Sequence, residues 1–461
     1  MKFLLLRPGS DRKTFFFTPF SYFPPLGLLY LGAALEKQGH KVEVIDFFME
    51  INVEERIKNS LISSDAVGIS LYTNNCKSIS EITKIIRDID PNIPIIIGGP
   101  SNIYLQEKSL SYIPDANISV IGEGEQVIID IAQFLEGKKN LSEISGIYYR
   151  ENNIIKKGKD VEIIKNLDSL DYPARHLTDK YEYGKINNEY LFKPRFTAME
   201  TSRGCPHNCR FCARPNNSIP GYGFRQRSAQ NVANELMEIN KRYGSVSIVD
   251  DNFLANKKRA MDILQKLIDY GTDIDLMILS TRVDSADKEL YKKMKEANVK
   301  FIGFGLESGN QDVLDYYNKN FTLDQARRAV RLSRKMGFIS IGSFIVGAPI
   351  ETKEHLENTI KFAYSLPLDI ALFNCFTYIK GSQLWIEAVK DNKIKEDEHF
   401  VVTDSGRNLG NFTEDTLSKK LRKVEKNFYL RPGYIFNQLF LSIYRRNLFL
   451  LKHGFHLITS L

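Results

Sequence analysis

Short apolar runs alternate with amphipathic helical patterns along most of this chain, and that alternation leaves few folds open to it. Lys2–Leu6, Lys41–Ile45, Ala66–Ser70, Pro94–Ile97 and Ile118–Ile121 read as strands. Helical patterns fill the gaps, such as LGLLYLGAALEKQG, for which Gly39 is a natural stop. Strands separated by helices imply a parallel sheet covered on both faces. Over residues 1–140 this predicts an α/β, flavodoxin-like doubly wound domain, whose ligands sit beyond the carboxyl ends of the strands. Ser70, Thr73, Asn75, Gly98 and Gly99 fall at those ends.

Residues 141–190 change character. GIYYRENNIIKKG reads as a hairpin with an Asn-Asn turn, and LDSLDYPARHL as an irregular connector, so this stretch is expected to link two domains. A second alternating series occupies residues 191–400, with strands at Thr197–Thr201, Ser245–Val249, Leu276–Leu279, Phe301–Phe304, Ile339–Ile345 and Ala371–Tyr378. Six β/α units predict a partial (β/α)6 barrel with its chemistry at the carboxyl ends of the strands. Residues 401–461 read as a helical tail, at once basic, aromatic and apolar. There Phe436, Leu439, Phe440, Ile443 and Leu450 lie near Arg445, Arg446 and Lys452, a pattern that suits a helix lying on a membrane surface. A helix packing back on the barrel accounts for it equally well.

A chain of 461 residues exceeds a single core, in keeping with two such series. Its net charge of +7 is compatible with an anionic ligand or membrane surface and does not call for nucleic acid. The apolar run Phe3–Leu6 is too short for a signal peptide, and no segment has the apolar length of a membrane span. A cytoplasmic protein is expected, with peripheral membrane contact through the tail as an option. The five cysteines are odd in number and three are clustered, which argues for a metal or redox site in a reducing compartment rather than a disulfide framework.

The cluster is TSRGCPHNCRFCARP, placing Cys205, Cys209 and Cys212 in the loop after the first strand of the second series. Thiolates suit iron–sulfur clusters or zinc. A closed zinc site needs a fourth ligand, for which His207 is the candidate. On a four-iron cluster, three cysteines leave one iron open, and the amino and carboxylate groups of S-adenosylmethionine can chelate it. The spacing, with aromatic Phe211 before the third cysteine, resembles the CxxxCxΦC signature of the radical S-adenosylmethionine superfamily. The resemblance implies a [4Fe-4S] cluster on these cysteines, cleavage of S-adenosylmethionine to a 5′-deoxyadenosyl radical, and an external electron donor such as ferredoxin or flavodoxin.

Later strand ends carry further candidates. Asp250, in Asp250-Asp251-Asn252, can hold the methionine ammonium, or the group can simply cap a helix. Arg282 can fork the methionine carboxylate or form a structural salt bridge. Glu307 and Ser308, in GFGLESGNQDVL, can bond ribose hydroxyls or the methionine moiety, or mark a tight turn with a solvated glutamate. The stretch Phe344–Pro349 resembles the backbone platform near adenine in the same superfamily. YIKGSQLW departs from the proline-rich turn of relatives, with Ile379-Lys380 in place of the prolines. Cys375, at an apolar strand position, reads as core.

In the first series, PPLGLLYLGAALEKQGHKVEVID, DAVGISLYTNN, IIIGGP and ISVIGEGE together resemble the cobalamin-binding domain fused to many radical enzymes. No DxHxxG occurs, His40 is the only histidine of the region, and Gly99-Pro100-Ser101-Asn102 stands where relatives often carry GGPH. If a corrinoid binds, its cobalt lacks a histidine from this domain; the alternative is a retained fold without cofactor. As a whole the resemblance implies cobalamin-dependent methylation of an unactivated carbon in a small-molecule or lipid substrate. Against it stand a cobalamin-linked cyclase or carbon–carbon coupling enzyme without methyl transfer, and a non-catalytic corrinoid- or metal-binding sensor.

Overall fold

A computed structural model describes residues 1–9, 23–72, 75–186 and 189–445, with only the backbone of residues 186, 216, 444 and 445. The chain divides into two compact units. The first runs to Glu182 and also takes in Pro215–Tyr222, while the second holds Tyr183–Arg214 and everything from Gly223 onward.

The first unit is built on a seven-stranded sheet. Its five parallel strands, Lys2–Arg7, Lys41–Asp46, Ala66–Ser70, Ile95–Gly98 and Ile118–Val120, lie in the flavodoxin order 2-1-3-4-5. The strands are apolar nearly throughout because both faces are covered, and two separate cores result. Leu4, Val67, Ile95 and Ile97 point to one, with Ile79, Ile82 and Ile86 of helix Cys76–Ile89. Phe3, Leu5 and Ile96 point to the other, with Leu29 and Leu35 of helix Leu26–Lys37 and Ile128 and Ile131 of helix Glu125–Leu135. Gly39, at φ +82°, follows the end of helix Leu26–Lys37 as expected.

The linking stretch is organised differently from its expectation. Strands Ile147–Glu151 and Ile154–Lys157 form the predicted hairpin, with Asn152 and Asn153 both left-handed at φ 51° and 63°, as a type I′ turn requires. That hairpin is not a free connector, however. It pairs antiparallel to Ile118–Val120 and completes the first sheet. The pairing gives an otherwise open edge strand a partner.

The second unit carries six parallel strands in sequential order: Phe196–Met199, Ser245–Ile248, Asp275–Thr281, Val299–Glu307, Ile339–Val346 and Ile370–Cys375. The first and last are not paired, so the barrel is partial, as predicted. The sixth strand ends at Cys375 rather than Tyr378, and Thr377–Ile379 turns away to pair with Phe400–Val402. Cys375 packs half-buried against the core. In the tail, helix Glu414–Leu430 buries Leu417, Leu421, Val424 and Phe428 in the same core as Phe373, covering the exposed side of the last strand. Helix Pro432–Arg445 follows. No described helix is long and apolar enough to cross a membrane.

Candidate active site

The cysteine loop begins where the first strand of the second sheet ends. Ser202–Arg203 pairs with Arg225–Gln226, and Gly204 turns the chain at φ +77°, where a Cβ would press on the Gly223 carbonyl at 3.1 Å. The buried Asp250, at the end of the second strand, ties this start down. Its carboxylate accepts from the Thr201 amide at 2.6 Å, the Thr201 hydroxyl at 2.5 Å and the Ser202 hydroxyl at 2.6 Å. With three donors from the loop, Asp250 is engaged in folding it. The neighbouring Asp251 is exposed, and its charge acts on Cys205 and Cys212.

The middle of the loop is stitched to the turn after helix Gln311–Tyr316. The Arg210 amide donates to the Tyr317 carbonyl at 3.0 Å, and the Asn318 amide group to the Asn208 carbonyl at 2.8 Å. The Arg210 carbonyl accepts from Leu384 at 3.1 Å, and its guanidinium pairs with Glu387 at 2.6 Å. Phe211 meets the fully buried Tyr317 edge to face, and Tyr317 stacks on Phe376. The aromatic position of the signature is thus the apolar foot on which the loop stands.

Cys205 and Cys209 are half-buried and Cys212 is exposed, and none is in a disulfide. Desolvation pushes the Cys205 thiol up and, with the neighbouring thiols and Asp251 adding to it, pushes Cys212 up to about 12. A bound cation or cationic cluster reverses that preference, because ligating thiolates are deprotonated by the metal. Among the described residues, no three His, Cys, Asp or Glu side chains are gathered closely enough to hold a single ion. Three thiols on one loop are the soft ligands that an iron–sulfur core takes.

Two ion pairs flank the loop, one half-exposed and one buried. Arg282, 6% exposed, forks Asp284 through Nε at 3.1 Å and Nη2 at 2.8 Å, and Nη2 also donates to the Lys319 carbonyl. Its remaining Nη1 faces Cys209 Sγ at 4.0 Å. Glu307, left-handed at φ 62°, accepts from Lys319 Nζ at 2.9 Å. The lysine ammonium lies 5.8 Å from the Phe211 ring centroid. Lys319, only 5% exposed, was not singled out in the sequence. The one signal for its turn is the Asn-Lys-Asn string, whose asparagines are both left-handed at φ 56° and 53°. Ser308 points elsewhere: its hydroxyl bonds Thr359 at 3.2 Å and accepts from the Asn310 amide at 3.2 Å, inside the packing of helix Lys353–Ser365.

In the first unit, Ser70, Asn75, Gly98 and Gly99 lie together at the carboxyl edge of the sheet, and Thr73 falls outside the described residues. Asn75 closes its own turn, donating to the Ser70 carbonyl at 3.1 Å and accepting from Tyr72 at 2.8 Å. Gly99, at φ +126°, holds its Cα so near the Leu71 carbonyl that a Cβ would meet it at 2.8 Å. Asn102 joins the ends of two strands through Ile97 and Val120, while its buried Oδ1 has no hydrogen-bond partner among the described residues. The glycines, hydroxyl and amides among these residues suit the amide-rich periphery of a corrinoid. His40 sits at the opposite, amino edge, bonded to the chain's amino group, and is placed to ligate nothing at the carboxyl edge.

Both series have counterparts among known proteins. Residues 13–132 match the model of the B12 binding domain and residues 199–363 that of the radical SAM superfamily. The chain is 33% identical over 428 residues to an uncharacterised methyltransferase of Pyrococcus horikoshii, covering 90% of each chain. It is 26% identical to the anaerobic magnesium-protoporphyrin IX monomethyl ester cyclase of Cereibacter sphaeroides, covering 77% of this chain and 58% of that one. The radical S-adenosylmethionine methyltransferase TsrM of Kitasatospora setae, solved with cobalamin and a [4Fe-4S] cluster, superposes with a TM-score of 0.69 at 17% identity, over 85% of this chain and 75% of that one. The chain belongs to the cobalamin-binding radical S-adenosylmethionine enzymes, whose cofactors are a [4Fe-4S] cluster, S-adenosylmethionine and cobalamin.

Proposed function

We propose that this enzyme methylates an unactivated carbon of a small-molecule or lipid substrate. The observation that carries the proposal is the pairing of a three-thiol loop at the barrel strand ends with a corrinoid-type domain that offers cobalt no histidine. When bound, the cluster supplies the electron that splits S-adenosylmethionine and the corrinoid supplies the transferable methyl group. The chain's own residues do the holding. Cys205, Cys209 and Cys212 would ligate the cluster, and Phe211 seats their loop. Asp251, rather than the engaged Asp250, is the carboxylate available for the methionine ammonium. The left-handed Gly347, followed by Ala348, offers backbone to adenine, and Glu351 fixes that turn by accepting from both amides. Ser70, Gly98 and Gly99 stand at the edge where the corrinoid tail would lie.

Anaerobically reconstituted protein, given reductant, corrinoid and substrate candidates, tests this. Labelled methyl from S-adenosylmethionine should appear in product together with 5′-deoxyadenosine. Product without label would favour the cyclase or coupling reading, and a complete lack of 5′-deoxyadenosine would sink the enzymatic one. A low-potential donor of the ferredoxin or flavodoxin type suits such a cluster, and five cysteines outside any disulfide suit the cytoplasm.

The tail helix supports a lipid-facing setting. Phe436 (72%), Phe440 (68%) and Ile443 (77%) are exposed along one face, while Gln438, Leu441 and Ser442 are buried on the other. Leu450, Arg446 and Lys452 lie outside the described residues. Replacing Phe436 and Phe440 with glutamate tests it. Loss of sedimentation with anionic liposomes supports membrane contact, and unchanged sedimentation, or none in the parent, rejects it.

A further inference from the structure

We propose that Arg282 is a positioning residue that sets the reduction potential of the cluster through Cys209, with Asp284 as its counterweight. The inference rests on the reading that the three cysteines hold a cluster.

The guanidinium is held on two sides and open on the third. Asp284 takes Nε and Nη2, and the Lys319 carbonyl takes Nη2 again. This leaves Nη1 directed at Cys209 Sγ at 4.0 Å, the long end of an N–H···S contact. The side chain is buried, so its charge is poorly screened. Adding an electron to a cluster makes it more negative. A fixed cation and an N–H donor at a ligating sulfur stabilise that state and raise the potential. Asp284, bonded to the same guanidinium and 30% exposed at its side chain, offsets part of the charge. The pair therefore acts as a balance, whose two arms predict shifts of opposite sign.

The cluster midpoint is read by an electron paramagnetic resonance redox titration of the full-length protein, at matched iron content and without substrate. Arg282→Met should move the midpoint to more negative potential. Asp284→Asn, which leaves the arginine in place and unbalanced, should move it to more positive potential. Loss of a purely structural salt bridge would not give opposite signs. Equal midpoints in all three proteins, or shifts of both variants in one direction, overturn the proposal. If Arg282→Met does not take up iron, Asp284→Asn decides alone, and a midpoint at or below the parent's overturns it. Parent protein with zinc and no iron would instead overturn the cluster reading itself, a separate outcome.

Discussion

Phe211 and Tyr317 meet edge to face with ring centroids 4.9 Å apart, joining the cysteine loop to a turn more than a hundred residues further along the chain. The signature aromatic is thereby explained as packing. Phe211→Ala should lower stability by about 1–2 kcal/mol, below the cost of a fully buried phenylalanine because the ring is only part-buried. Chemical denaturation measures this, and the iron bound after reconstitution should fall in parallel.

Asp250 and Asp251 should separate cleanly. Asp250→Ala leaves three donors of the loop without their acceptor, and about 2–4 kcal/mol of stability should go with it. Cluster content should drop as well. Asp251→Asn should keep the cluster and the fold, and weaken S-adenosylmethionine binding at least several-fold, read by isothermal titration. Equal cluster loss in both variants would contradict this division.

Gly99→Ala should cost about 2 kcal/mol or more, from a left-handed alanine and a Cβ against the Leu71 carbonyl. Corrinoid uptake, followed by its visible absorption, should fall with it. Gly433, which has nothing near its Cβ position, is the control, and its alanine variant should be close to neutral.

Glu425 predicts a pH dependence of stability. Burial pushes its carboxyl up to about 8, while its Oε1 accepts from the Phe373 amide at 3.3 Å. The folded state then binds the proton more tightly than the unfolded state, where the value is near 4.5. Its contribution is fully present below that value and is lost as pH rises through about 8. Glu425→Gln keeps the hydrogen bond and cannot ionise. Its melting temperature should decline less than the parent's between pH 5 and 9, and parallel curves would rule the assignment out.

The strand runs and the cysteine loop were legible because each follows from residues close in sequence. Apolar runs between helical patterns place ten of the parallel strands within a residue or two at most ends, and the Asn-Asn pair announces its own turn. Where the hairpin docks was not legible. Pairing of Ile147–Glu151 with Ile118–Val120 depends on which sheet edge is open, a property of the assembled sheet. The same holds for the sixth strand, which bends away after Cys375 to meet Phe400–Val402.

The candidate site divides along the same line. Three thiols at one loop, an aromatic between them and carboxylates at a strand end are local facts of the sequence, and they determined the chemistry that the chain can support. Which of two adjacent aspartates ties the loop and which stays open, that Ser308 is drawn into a helix contact, and that Lys319 pairs with Glu307 were decided only by tertiary structure. The physical reason is burial. A buried charge or hydroxyl must find a partner, and the partner is whichever group the fold brings within reach, regardless of distance along the chain.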